Sequence, residues 1–204
     1  MKENPETSAA APKLSDWQRF RQVGRYHGIR ALGAITLWGA AEAWASTSGL
    51  TIASLVAILN AIVAGTMLAG IFHEWGHFIG ARASRSYSPI VRKPTNGFIF
   101  GFIFEKNSPS QFLSMSIGGP AGNWLLAVLV FLFIPLESWS SAMLLAVVTA
   151  HAISVSVFEV PIILRTLRGT DPRESLDIGL ADGSQQRGRY IGYGVGALLW
   201  LVAI

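Results

Sequence analysis

His73 and His77 stand four residues apart, with Glu74 between them, in the run His73-Glu74-Trp75-Gly76-His77. On an α-helix, positions i and i+4 share a face, so two imidazoles at this spacing can hold one metal ion. Glu74 lies one step round the helix, where its carboxylate reaches a water beside the ion rather than the ion itself. Zinc draws the pKa of such a water towards neutrality, and the carboxylate takes its proton during attack on a carbonyl. The pattern predicts metal-assisted hydrolysis, with Zn2+ as cofactor, His73 and His77 as ligands and Glu74 as general base. The bland alternative is a His-Glu polar pair packed between helices without metal.

The rest of the composition narrows the ligand set. No cysteine occurs, which excludes disulfides, thiol nucleophiles and thiolate metal sites. A metal must be held by His, Asp or Glu, and the only other histidines are His27 and His151. His27, beside Arg25 and Tyr26, reads as an interfacial residue. His151 lies eight residues before Glu159, about 12 Å away along a helix, and reads as an interhelical hydrogen-bonding group.

The motif sits in an apolar stretch, and others like it follow. Spans are expected at Ala31–Thr47, Leu50–Ala81, Phe112–Pro135 and about Ser138–Leu164, with a short apolar segment at Tyr190–Ile204. A soluble domain of this length does not bury so many unbroken apolar helices. All 16 Lys and Arg fall before the first span, between the second and third, or after the fourth. By the positive-inside rule that side, with the N-terminus, is cytoplasmic, and the chain reads as a multi-pass protein of a bacterial-type inner membrane. The same rule accounts for the net charge of +4 without a nucleic-acid partner. Residues 1–30 read as a polar tail followed by an interfacial helix capped by Ser15. Residues 31–204 read as one membrane domain, with its core at 50–180. Ala43-Trp44-Ala45-Ser46 has the small-x-small look of a cleavage site, against which stand the long polar leader and Glu42.

Between the second and third spans, Ser88–Lys93 and Phe98–Phe104 flank a strong turn signal at Asn96-Gly97. They predict a small membrane-associated β hairpin, whose edge could receive a substrate by strand addition. The expected fold is therefore an all-α membrane protein, a polytopic bundle of four to five spans carrying that hairpin.

Phe72-His73-Glu74-Trp75-Gly76-His77-Phe78, followed on the next span by Gly119-Pro120-Ala121-Gly122-Asn123, resembles the site-2 protease family of intramembrane zinc metalloproteases. The resemblance covers roughly residues 50–180. It implies hydrolysis of peptide bonds in membrane-protein substrates at the lipid bilayer, with Asn123 near substrate and zinc. The alternative for the second motif is a kinked helix with small residues for close packing, and both readings can hold together. The family's third ligand, an Asp in N-x-x-P-x-x-x-L-D-G, has no intact counterpart here.

Two segments compete for that role. Val157-Phe158-Glu159-Val160-Pro161 places Glu159 six residues from Arg165, about 9 Å from the basic boundary. His77 is five residues from Arg82, about 8 Å from the same side, so the two match in depth. A carboxylate in an apolar helix also needs a cation. Glu159 is favoured as third ligand, while Asp171 and Asp177, in a polar segment echoing P-x-x-x-L-D, stay open. The altered motif also leaves room for an inactive relative that binds substrates or metal without cleaving.

Overall fold

The computed structural model describes residues 14–91 and 97–203, and six α-helices account for most of them. Helix α1 (Asp16–Ser48) starts at a capping box, in which Ser15 accepts from the Gln18 amide and Gln18 answers to the Ser15 amide. Gly49, at φ 64°, ends it in the left-handed conformation that suits glycine. The expected interfacial helix and the first expected span are thus one continuous rod. Helix α2 (Thr51–Ala83) is about 50 Å long and outreaches a bilayer core of about 30 Å. Helix α3 (Pro109–Phe133) opens with a Ser108/Gln111 capping box and proline in its first turn. Helix α4 (Trp139–Leu167) begins at Ser138, and a short α5 (Pro172–Ala181) is capped by Asp171. Helix α6 (Ser184–Val202) returns along α4.

Among the described residues three helices, α2, α3 and α4, are long and apolar enough to cross a membrane. This corrects the expectation of four to five spans. Glu42, three tryptophan and glycine interruptions (Trp38, Gly39, Trp44) and the Ser46-Thr47-Ser48 end dilute α1. The polar turns Ser184–Arg189 shorten the apolar part of α6. The outward faces of α2 and α3 carry exposed Leu55, Leu59, Leu125, Phe131 and Leu132, as lipid-facing helices do. Their inward faces are built from small residues such as Ala57, Ala61 and Ala64, which let backbones approach closely. Trp38 donates to Ser140 at 2.7 Å and Trp124 to Ser156 at 3.0 Å, fixing α1 and α3 against α4. At the far end, Arg165 binds Asp182 at 2.9 Å. Hydrogen bonds from Ser184, reinforced by Arg165, hold the Asp182 carboxyl below the usual carboxylate range.

The β hairpin is absent: no strand forms among the described residues. Ile90 and Phe100 make one isolated antiparallel bridge, with Val91 donating to Ile99 and Gly101 to Pro89, each at 3.0 Å. Pro89 has no N–H with which to extend a ladder. Asn107 then takes over the backbone groups a strand would need. Its amide accepts from the Tyr87 N–H at 2.6 Å and donates to the carbonyls of Tyr87 and Ile103. A 3-10 turn at Phe104–Lys106 completes the segment. Ile90 and Ile99 pack with Val23 of α1 and Phe78 of α2, so the segment is anchored by side chains. The expected turn at Asn96 lies outside the described residues.

Candidate metal centre

His73 and His77 project from one face of α2, and Pro161-containing α4 brings Glu159 to meet them. The two Nε2 atoms are 3.0 Å apart, and Glu159 Oε1 lies 3.2 Å from one and 3.4 Å from the other. Ligands about 2.0–2.1 Å from a tetrahedral ion are separated by about 3.3–3.5 Å, so the triangle fits such an ion closely.

The hydrogen bonds behind the rings fix which nitrogens face inward. Asn123 is fully buried on α3, and its Nδ2 donates to the Ala69 carbonyl at 3.0 Å. A carbonyl only accepts, so the amide orientation is determined and Oδ1 must face His73 Nδ1, also at 3.0 Å. His73 therefore carries its proton on Nδ1. His77 Nδ1 donates to the Met115 carbonyl at 2.8 Å and is fixed in the same tautomer. In the neutral rings both Nε2 atoms then present lone pairs towards each other and towards a carboxylate oxygen. Glu159 Oε2 is buried without a partner. Three converging electron-pair donors and an orphaned carboxylate oxygen are what a cation satisfies. The residues fit a metal ion.

Glycine makes this convergence possible. A Cβ at Gly76 would overlap the Gly118 carbonyl, one at Gly80 that of Ser114, and one at Gly122 that of Phe72. Helices α2 and α3 thus touch backbone to backbone. Gly119 lies directly against both imidazoles, where a methyl group would collide with His77 and reach His73 Cε1 at 2.7 Å. Sequence reasoning missed Gly119 and the Met115 and Ala69 carbonyls as parts of the site. Gly119 enters the sequence reading only as the first residue of its motif, with no role of its own, and backbone carbonyls leave no side-chain signature.

Glu74 lines the two cavities that flank the triad. Asp171 is not in the cluster; it accepts from the amides of Arg173 and Glu174 at the start of α5. Asp177 sits within α5, also outside the cluster. His151 lines a separate cavity between α2, α4 and α6. His27 is buried against α2, and its Nδ1 accepts from Trp75 Nε1 at 3.1 Å. The Phe98–Phe104 segment offers no strand edge to a substrate; its phenylalanines instead wall one of the cavities beside Glu74.

Comparison of the chain with protein-family models, curated protein sequences and solved structures gives no match.

Proposed function

We propose that this protein is a multi-pass intramembrane zinc metalloprotease, hydrolysing peptide bonds of membrane-associated substrates. One observation carries the reading: two imidazole lone pairs and the Glu159 carboxylate converge at ligand spacing on apolar helices, with Glu74 beside them. His73, His77 and Glu159 would hold the ion. When bound, zinc supplies a Lewis acid for a carbonyl oxygen and acidifies water. The carboxylate of Glu74 takes the proton of the attacking water and returns it to the leaving amine. Asn123 keeps the His73 ring in place, and the substrate contact that the motif's resemblance implies for it would require its bonds to His73 and Ala69 to open. The resemblance of the two motifs to site-2 proteases supports the same reaction. A carboxylate at position 74 favours hydrolysis over simple metal carriage, which needs no base there.

Purified Glu74→Gln should retain zinc and lose cleavage of a membrane-protein substrate, since the ligands remain and the base is gone. His73→Ala should lose both. Undiminished cleavage by Glu74→Gln would end the proposal. The one-sided basic residues support a cytoplasmic N-terminus. Reporter fusions at Ser48 and Glu137 should mark the opposite side, and a cytoplasmic signal at either would overturn that orientation.

A further inference from the structure

A cavity of about 380 Å³ opens directly on the metal triad, and its floor is His73, Glu74, His77 and Glu159. Its walls are aromatic. Phe102, Phe104 and Phe112 form a closed trio with ring centroids 5.4–5.9 Å apart, and Phe100 and Phe158 add further faces. Two of the three contacts are edge-to-face and the third is tilted, and rings packed in this way hold one another in fixed orientations, so the walls form a preshaped surface. Phe112 is almost fully buried on α3, which anchors the trio to the helix that also carries Asn123. From outside, Arg173 stacks over Phe104 and pairs with Glu105 at 2.9 Å.

The lining chemistry selects an occupant. Among the described residues no Lys or Arg lines the cavity, and the two carboxylates that do belong to the site. An acidic side chain entering here would lose its hydration beside Glu74 and Glu159, with no basic partner among the described lining residues. A basic one would compete with the ion for Glu159. A large apolar side chain loses nothing by entering and removes its surface from water. Because the floor is the site itself, only a group attached next to the reacting carbonyl can enter.

Resting on the proteolytic reading, we infer that this cavity is a specificity pocket for a large apolar or aromatic side chain flanking the scissile bond. Substrates with Phe, Leu or Met at that position are preferred over those with Gly, Asp or Lys. The Phe98–Phe104 segment thus acts through its side chains rather than through a strand edge.

The test uses the zinc-loaded full chain in detergent, with glycine hydroxamate and phenylalanine hydroxamate as probes. Both present the same metal-binding group and differ only in the side chain. Calorimetric titration should show the phenylalanine probe binding about 10- to 100-fold more tightly. Leu176→Trp, which fills the cavity from α5, should erase that difference while leaving the glycine probe's affinity unchanged. If Leu176→Trp fails to fold, Phe104→Ala serves instead, and should shift preference towards a naphthylalanine hydroxamate. Equal affinities in the wild type, or binding of neither probe, overturns the pocket. Discrimination between probes by a protein that cleaves no peptide keeps the pocket and removes the protease. Peptides cleaved equally fast with Gly or Phe beside the scissile bond do the reverse.

Discussion

Helices α2 and α3 meet through glycine, and so do helices α4 and α6, but the two seams hold different things. In the first, Gly76, Gly80, Gly118 and Gly122 bring carbonyls of the facing helix to where a Cβ would stand. In the second, Gly188, Gly192 and Gly196 do the same against Ser154, Ala150 and Ala146. The second seam has two polar ties among the described residues, from Ser154 to the Gly188 carbonyl and from Trp200 to the Trp139 carbonyl, each at 2.9 Å. The first adds Asn123, the Met115 carbonyl and two imidazoles along its edge. Small residues therefore set how near helices come, and the polar groups at the seam decide whether nearness becomes chemistry. In the α2–α3 seam an error of a few tenths of an ångström moves the imidazoles that could hold a metal ion. In the α4–α6 seam it moves only packing.

The largest contrast should come from one methyl group placed in each seam. Gly119→Ala drives a Cβ into both imidazoles and should abolish metal binding. Gly192→Ala, which meets the Ala150 carbonyl and Ser154, should lower stability by about 1–3 kcal/mol as overpacking does, yet leave metal bound. Zinc content and thermal melting of the two purified variants measure this. If Gly192→Ala strips the metal as completely as Gly119→Ala, the seams do not differ in the way described.

Next in size is the ligand that crosses from α4. Glu159→Gln keeps shape but removes the anionic donor, and should weaken metal binding more than about 100-fold, beyond what loss of an outer partner does. Asp171→Asn and Asp177→Asn should change zinc affinity little, Asp171 costing only part of a helix cap. Competition with a metal indicator ranks the three. Loss of zinc from either Asp variant, with Glu159→Gln still loaded, would transfer the third position to the α5 segment.

Smaller again is the relay behind His73. Asn123→Leu leaves both ligand nitrogens in place but removes the acceptor that fixes the ring, and should weaken metal binding about 10- to 100-fold. Asn123→Asp keeps an acceptor towards His73 and should recover part of that loss. Equal affinities in wild type and Asn123→Leu would make Asn123 a packing residue only.

These sites were unevenly legible in the sequence. The His73–His77 spacing reads directly, because a helix repeats nearly every four residues. Glu159 reads through its depth relative to Arg165 and its need for a counter-charge. The capping residue Ser15 announces a helix start in the same local way, whereas the caps Ser108 and Asp171 emerge only in the structure. The Phe98–Phe104 run misled, because β-prone residues after Asn96-Gly97 carry the hairpin signal whatever their tertiary fate. What prevents the ladder is Pro89 together with the distant Asn107, whose amide takes hydrogen bonds across 20 residues of chain. A donor supplied from so far along the chain has no local pattern. The span count failed for a related reason. Helix α1 is long enough, but Glu42 and its polar end lower its apolar character, and length alone suggested a crossing.

The smallest predicted effect concerns a third contact, between α1 and α2, held by a polar latch rather than glycine. Trp75, between the two ligand histidines in sequence, donates to His27 Nδ1 at 3.1 Å, and its ring meets Phe20 edge-on at 5.7 Å. With Nδ1 accepting, the neutral His27 ring carries its proton on Nε2, and a second proton would have to go where the Trp75 N–H already points. Burial, assisted by the nearby Arg30 charge, lowers the His27 pKa below its ordinary value, opposed in part by the Gly97 backbone. The unfolded chain therefore binds this proton more readily than the folded one, and stability must rise with pH across the window. The latch contributes fully above the unfolded value of about 6.5 and is lost as pH falls from there through the lower folded value. Melting of the wild type in detergent should fall by about 2–4 °C more than that of His27→Gln between pH 7.5 and 5.5. A wild-type curve parallel to that of His27→Gln over this range would show that the α1–α2 contact, like the α4–α6 seam, is packing alone.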